Sequence, residues 1–217
     1  MDDAAFGERV RAYLLAHPEV LQEVSQKLQT QAAAAADAEA RRRIAQNRSA
    51  LIADVRDPVI GRPDAPIAIV EFFDYRCGYC KASAPELLAF VEQHPDVRLV
   101  MKEMPILSAE SEYAARVALL AADQGKYGAV HRALMTGRAV DRPLADRVAR
   151  DNGVDISGLN APSVTQRLDA VHELAGKLGI GGTPAFVVGD RLINGADMAA
   201  LQRAVAEQRR SVPKAAG

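Results

Sequence analysis

The stretch Ile67-Ala-Ile-Val-Glu71-Phe-Phe73-Asp-Tyr-Arg-Cys77-Gly78-Tyr79-Cys80-Lys81 decides how this chain is read. Its first half is an apolar run of strand length, and Lys81 to Gln93 predicts a helix. The two cysteines therefore fall where a strand passes into a helix. They are the only cysteines in 217 residues, and two residues separate them. The first turn of a helix carries unpaired N–H groups and a partial positive charge. A thiolate on Cys77, at or near the N-cap, is favoured in that position. Cys77 is the expected exposed nucleophile and Cys80, one turn inside, the expected resolving thiol.

Other uses of a C-x-x-C fit poorly. There is no second C-x-x-C, and His17, His94, His131 and His172 show no H-x₃₋₅-H spacing, which argues against zinc. A purely structural disulfide over so short a loop would constrain the unfolded chain little.

Working outward, strand alternation puts Ile67, Ile69, Glu71 and Phe73 on one face and Ala68, Val70 and Phe72 on the other. Both faces are apolar except for Glu71, the pattern of a central strand covered on both sides. A carboxylate there is costly unless paired or protonated, and a raised pKa would suit a proton acceptor for Cys80. A half-exposed edge carboxylate is the alternative. Far downstream, Gly181-Gly182-Thr183-Pro184 leads into the apolar run Ala185 to Val188. A proline there belongs at a strand start. Its peptide bond can be cis in such a turn, with trans the commoner state for a proline read in isolation.

With these motifs in this order, the chain resembles the thioredoxin superfamily. About a hundred largely helical residues separate the C-x-x-C from Thr183-Pro184, which is similar to the DsbA-type subgroup, where a helical domain interrupts the thioredoxin fold. Val70 to Lys81 and Lys102-Glu-Met-Pro-Ile-Leu107 are close to that subgroup's pattern. The resemblance covers roughly residues 58–210. It implies a nucleophilic Cys77, a buried acid at Glu71, and substrate contacts at Gly78, Tyr79, Thr183 and a cis Pro184. The segment from Phe6 to Leu21 further resembles the arm of the suppressor of copper sensitivity C group. That likeness implies a periplasmic homo-oligomer, a trimer, reduced by a membrane thiol reductase and acting on misfolded or copper-oxidised proteins.

The arm has its own logic. Phe6, Val10, Tyr13 and Leu14, then Val20, Leu21, Val24 and Leu28 after a break at Pro18, form apolar stripes on helices too short to stand alone. They need a partner surface, either the same arm of another subunit or the chain's own catalytic domain. Residues 29–57 are Ala-, Arg- and Gln-rich with few large apolar side chains, and read as a weakly packed helical spacer. The expected organisation is an arm over 1–30, a helical linker over 31–57, and a catalytic α/β domain over 58–217 with a helical insertion at about 108–180.

Formal net charge is −1, and Arg41-Arg42-Arg43 is too short a run to imply nucleic acid. No apolar run approaches the ~18 residues of a membrane span. Met1-Asp2-Asp3 leads straight into the arm without a signal peptide, as in a cytosolic protein or a mature exported form; the resemblance favours the latter.

Three readings of the dithiol stay open. A disulfide isomerase gains from clustered sites around one substrate, and Thr183 before the proline resembles the isomerase form of that loop. A DsbA-type oxidase is the second, although Gly78-Tyr79 lacks the histidine that stabilises the thiolate there, which implies a less oxidising disulfide. A Cu(I) carrier is the third, with Cys77 and Cys80 as soft ligands. Met101 and Met104 are better read as core residues than as thioethers for that metal. No cofactor is required.

Overall fold

A computed structural model describes residues 2–211; Met1 and residues 212–217, which fall in the arm and catalytic assignments, lie outside the described residues. The chain divides into two compact units, Met1–Glu39 and Ala40–Gly217.

The first unit is helical. Helix α1 (Asp3–Ala16) starts at Asp2, whose carboxylate accepts from the Ala4 N–H. It stops at His17, ahead of Pro18. Helix α2 (Glu19–Gln46) follows and runs on into the second unit. Phe6, Val10, Tyr13, Leu21, Val24 and Leu28 are all exposed, and no residue of α1 is buried.

The second unit is built on a five-stranded sheet of order β1-β3-β2-β4-β5. Strand β2 (Ile67–Phe73) lies at its centre, parallel to β3 (Val97–Glu103) and antiparallel to β4 (Ala185–Val188). Strand β5 (Arg191–Asn194) forms a hairpin with β4, and the short β1 (Val59–Gly61) pairs antiparallel with β3. Because β2 is central, the alternation read from its sequence divides the core in two. Ile67, Ile69 and Phe73 pack beneath the redox helix α4 (Gly78–Gln93), together with α5 (Ala109–Asp123), α6 (Tyr127–Thr136), α7 (Arg142–Asp151) and α9 (Met198–Ser211). Val70 and Phe72 face a second layer formed by Ile44, by Leu51 of α3 (Arg48–Ile52), and by α8 (Pro162–Leu178). This is the arrangement the resemblance implies, with one refinement. Within the expected insertion, α8 does two things: Val164 and Leu168 pack on α5, while Leu174 and Leu178 cover the far face of the sheet. Gly179 then ends α8 in the left-handed conformation (φ 76°), turning the chain toward Gly181-Gly182.

The compact unit begins at Ala40, ahead of the boundary at 57/58 that composition predicts. The alanine-rich stretch hides two anchors, Ile44 and Leu51, both almost fully buried. A third is electrostatic. Lys102, on the α8 side of β3, is 2% exposed and donates to Asp57 and to the Ala50 carbonyl. Removing one partner of such a pair leaves a buried charge uncompensated. Lys102→Ala is expected to lower unfolding free energy by about 3–5 kcal/mol in chemical denaturation. The paired replacement Lys102→Met with Asp57→Leu should recover most of that loss.

Candidate active site

Strand β2 ends at Phe73, and the turn Asp74-Tyr75-Arg76 carries the chain into α4. The Asp74 carbonyl accepts from the Cys77 N–H at 3.0 Å, and the Asp74 carboxylate accepts from the Arg76 N–H at 2.7 Å. Cys77 is the N-cap of α4, and its sulfur accepts from the Cys80 N–H at 3.4 Å. Its thiol donates to the Thr183 carbonyl at 3.2 Å. Thr183–Pro184 is a cis peptide, and Pro184 is buried at the start of β4 with its carbonyl accepting from the Gly195 N–H. Residues more than a hundred positions apart thus meet at one sulfur.

The two sulfurs differ in access. Cys77 is 6% exposed and Cys80 0%. The expectation of an exposed Cys77 is corrected here: the residue is largely buried, with its thiol against the Thr183 carbonyl. Its surroundings are nevertheless low. Gly78 is exposed, Tyr79 projects into solvent at 73%, and a Cβ added at Gly78, Gly181 or Gly182 would meet nothing within 4 Å. A polypeptide can lie across this surface.

Glu71 points to the same side of β2 as the cysteines. It is 2% exposed, its Oε1 has no hydrogen-bond partner, and burial pushes its carboxyl up to about 8. Burial also drives the Cys80 thiol well above its ordinary range. The Asp74 backbone N–H acts against this rise, while Cys77 and Glu71 add to it. Two groups that both resist ionisation can pass one proton between them.

The structure adds residues that the motif did not reveal. Asp74 ties the turn to the loop after β3. Lys81 donates to the carbonyls of Leu134, Met135 and Gly137, joining α4 to the C-terminal end of α6. Beneath the turn, Glu103 Oε1 accepts from Tyr75 Oη at 2.9 Å and Tyr127 Oη at 2.8 Å, and Tyr75 Oη lies 3.1 Å from His131 Nδ1. Burial raises Glu103 to about 8 and lowers His131 to about 3, so the histidine is neutral at pH 7. An aspartate three residues before a helix N-cap is a legible turn signal; the tyrosine network has none. Met101 and Met104 are both buried, in separate clusters on opposite sides of the sheet. Among the described residues no group of three or more His, Cys, Asp or Glu is placed to hold a metal.

Residues 68–206 match the DSBA-like thioredoxin domain, and residues 2–35 match the copper resistance protein ScsC N-terminal domain. Among solved structures, a thioredoxin-like oxidoreductase from Silicibacter pomeroyi is 42% identical, covering 76% of this chain and 99% of that one, with a TM-score of 0.72. Proteus mirabilis ScsC in a transitional conformation is 32% identical over 98% of this chain and 100% of that one, with a TM-score of 0.74. Among curated proteins, a Na(+)/H(+) antiporter NhaA of Salinispora tropica is 30% identical over 153 residues, 64% of this chain and 22% of the antiporter. The chain spans about a quarter of the length of the antiporter relatives it matches.

Glu71 makes a pH-dependent contribution to stability whose sign is fixed. Its carboxyl titrates near 4.5 when unfolded and near 8 when folded. Between those values the unfolded state releases the proton first, so stability falls as pH rises. Glu71→Gln is expected to match the parent below pH 4.5 and to exceed it by roughly 3–5 kcal/mol near pH 8. Denaturation curves at pH 4 and pH 8 read the difference.

Proposed function

The chain belongs to the DSBA-like thioredoxin domain family and carries an ScsC-type N-terminal domain, and from that premise we propose that it is a periplasmic disulfide isomerase. Thiol–disulfide exchange is the chemistry of the family; direction is the part proposed. The Cys77 thiolate attacks one sulfur of a substrate disulfide, forming a mixed disulfide and releasing a substrate thiolate. That thiolate attacks another disulfide of the same polypeptide, re-pairs with one of its sulfurs and releases the other as a new thiolate, which displaces Cys77 unchanged. When no productive pairing forms, Cys80 gives its proton to the ionised fraction of Glu71 and attacks Cys77. The Cys77–Cys80 disulfide then forms, the substrate leaves as a thiol, and two electrons have passed to it. A membrane thiol reductase of the same compartment supplies them back.

One observation carries the isomerase reading over the oxidase. The arm presents Phe6, Val10, Tyr13, Leu21, Val24 and Leu28 to solvent along helices with no core of their own. Such a stripe calls for copies of itself. Joined arms would hold several redox sites around one substrate and raise the effective concentration of nucleophile. A trimer fits this reading, with misfolded and copper-oxidised proteins as substrates. Gly78-Tyr79, without a histidine between the cysteines, adds support by disfavouring a strongly oxidising disulfide. In this reading Thr183 and Pro184, beside Cys77, and the exposed Gly78 and Tyr79 are the substrate contacts. Cu(I) binding by Cys77 and Cys80 remains compatible with the same thiols.

The reduced protein is expected to restore activity to scrambled ribonuclease, and Cys77→Ser to abolish this. Leu21→Glu with Leu28→Glu should give monomers by light scattering, with Cys77 alkylation unchanged within twofold and ribonuclease recovery reduced at least fivefold. Recovery of reduced, denatured ribonuclease by the oxidised protein alone, with none from the scrambled form, would identify an oxidase.

A further inference from the structure

We propose that the loop after β3 is a specificity surface for the exchange reaction: Ile106 and Leu107, tied to the Cys77 turn by Asp74 and Arg76, receive the apolar residues that flank a substrate's cystine. This rests on the thiol-exchange reading above, in either direction, and adds to it which disulfides are preferred.

The loop runs from Met104 to Ser108, and both its ends are fixed. The Met104 N–H donates to the Phe73 carbonyl at 2.9 Å, and its side chain is buried. Ser108 is the N-cap of α5, its Oγ accepting from the Ser111 N–H at 3.2 Å. Between them, the N–H groups of Ile106 and Leu107 donate to Asp74 Oδ2 at 2.9 and 3.0 Å. Asp74 is almost fully buried, and its carbonyl accepts from the Cys77 N–H at 3.0 Å. One residue is thus bonded both to the nucleophile and to the loop. Arg76, immediately before Cys77, joins them a second time, through Ser108 Oγ at 2.7 Å and Glu110 at 3.0 Å. With its backbone so held, the loop turns two aliphatic side chains outward, Ile106 39% and Leu107 54% exposed.

Single exposed apolar side chains are ordinary on any protein surface. These are not scattered. Among the described residues from Ala40 onward, five large apolar side chains are exposed, and three of them, Tyr79, Ile106 and Leu107, stand within the C-x-x-C or on the loop bonded to its turn; Val55 and Val59 precede β2. The occupant follows from this position. A substrate sulfur must reach Cys77, and an extended chain advances ~3.3 Å per residue from it, so its near neighbours come to a loop that a single aspartate connects to Cys77. A mispaired cystine sits in a polypeptide that has not folded, with the apolar residues around it still uncovered. Ile106 and Leu107 cover such residues. The bracing has already removed the loop's freedom, so little ordering opposes the contact. The chemical step is unchanged: the Cys77 thiolate attacks one substrate sulfur, the new S–S bond forms as the old one breaks, and the outgoing thiolate takes a proton from solvent. The loop acts on the encounter and leaves the sulfur chemistry as it is.

The test uses the full-length reduced protein and three disulfide probes: glutathione disulfide, and the disulfide-linked dimers of the end-blocked peptides Gly-Leu-Cys-Leu-Gly and Gly-Ser-Cys-Ser-Gly. Reactions are quenched in acid at intervals and the released thiol is measured by mass spectrometry, each rate being divided by that of dithiothreitol with the same probe. The parent is expected to favour the leucine probe over the serine probe about tenfold. Ile106→Ser with Leu107→Ser should bring that ratio below about threefold, and Leu107→Ser alone should give an intermediate value. Ile106→Met with Leu107→Met should keep the parent's preference, and glutathione disulfide should react within twofold of the parent in every variant. No preference in the parent, a preference that survives the serine pair, or an equal slowing with glutathione disulfide overturns the proposal. A surviving preference together with a smaller assembly by light scattering assigns the patch to contact between copies, and overturns it too. If the parent reacts with none of the three probes at Cys77, the exchange reading fails instead, since its loop is intact.

Discussion

Strand β2 is covered by side chains on both faces, and its one ionisable residue, Glu71, is therefore held away from water with an oxygen that nothing satisfies. That desolvation sets the chemistry of the site. It leaves the carboxyl ionised only in a minor fraction at pH 7, the fraction that can accept the Cys80 proton, and it keeps the Cys80 thiol protonated until attack. It also dictates where reaction can occur. A strand buried on both sides reaches solvent only at its ends, and Cys77 stands at the end where β2 gives way to α4.

The helical insertion is joined to this end at several points rather than merely inserted beside it. Lys81, immediately after Cys80, is bonded to the C-terminal carbonyls of α6. Tyr75, two residues before Cys77, shares Glu103 with Tyr127 of α6. Phe73 closes the network with edge-on contacts to Tyr75 and His131, each at 5.2 Å. A displacement of α6 would reach both sides of the C-x-x-C. Polar groups buried this deeply are tolerated because each finds a partner, and satisfied networks of this kind restrict a core to one arrangement.

The two units pose opposite physical problems. The sheet unit buries its apolar residues against its own helices and is closed at its N-terminal side by Ile44, Leu51 and the Lys102–Asp57 pair. The arm has apolar residues in helical register and no internal surface to cover them. The self-association proposed above would cover that surface.

How much of this was legible varies with the range of the interaction. The strand over 67–73 and the helix capped by Cys77 follow from local periodicity and helix-end chemistry, and appear where the sequence places them. The proline after Thr183 was legible as a strand start, and the cis bond there agrees with the resemblance rather than with the commoner isomer. Three-residue β1 carries too little pattern to detect. Lys102 and Glu103 read as a polar strand end, yet both are buried, on opposite faces, because Asp57 and the two tyrosines come to them from elsewhere in the chain. The sequence by itself determined the elements, the dithiol and its place at a helix N-terminus, since these depend on neighbours within a few residues. Only the tertiary structure decided which carbonyl meets Cys77, what leaves Glu71 without a partner, and how Asp74 binds two loops. The Asp74 and Cys77 contacts join residues 32 to 106 positions apart, and no local pattern encodes a distance across the fold.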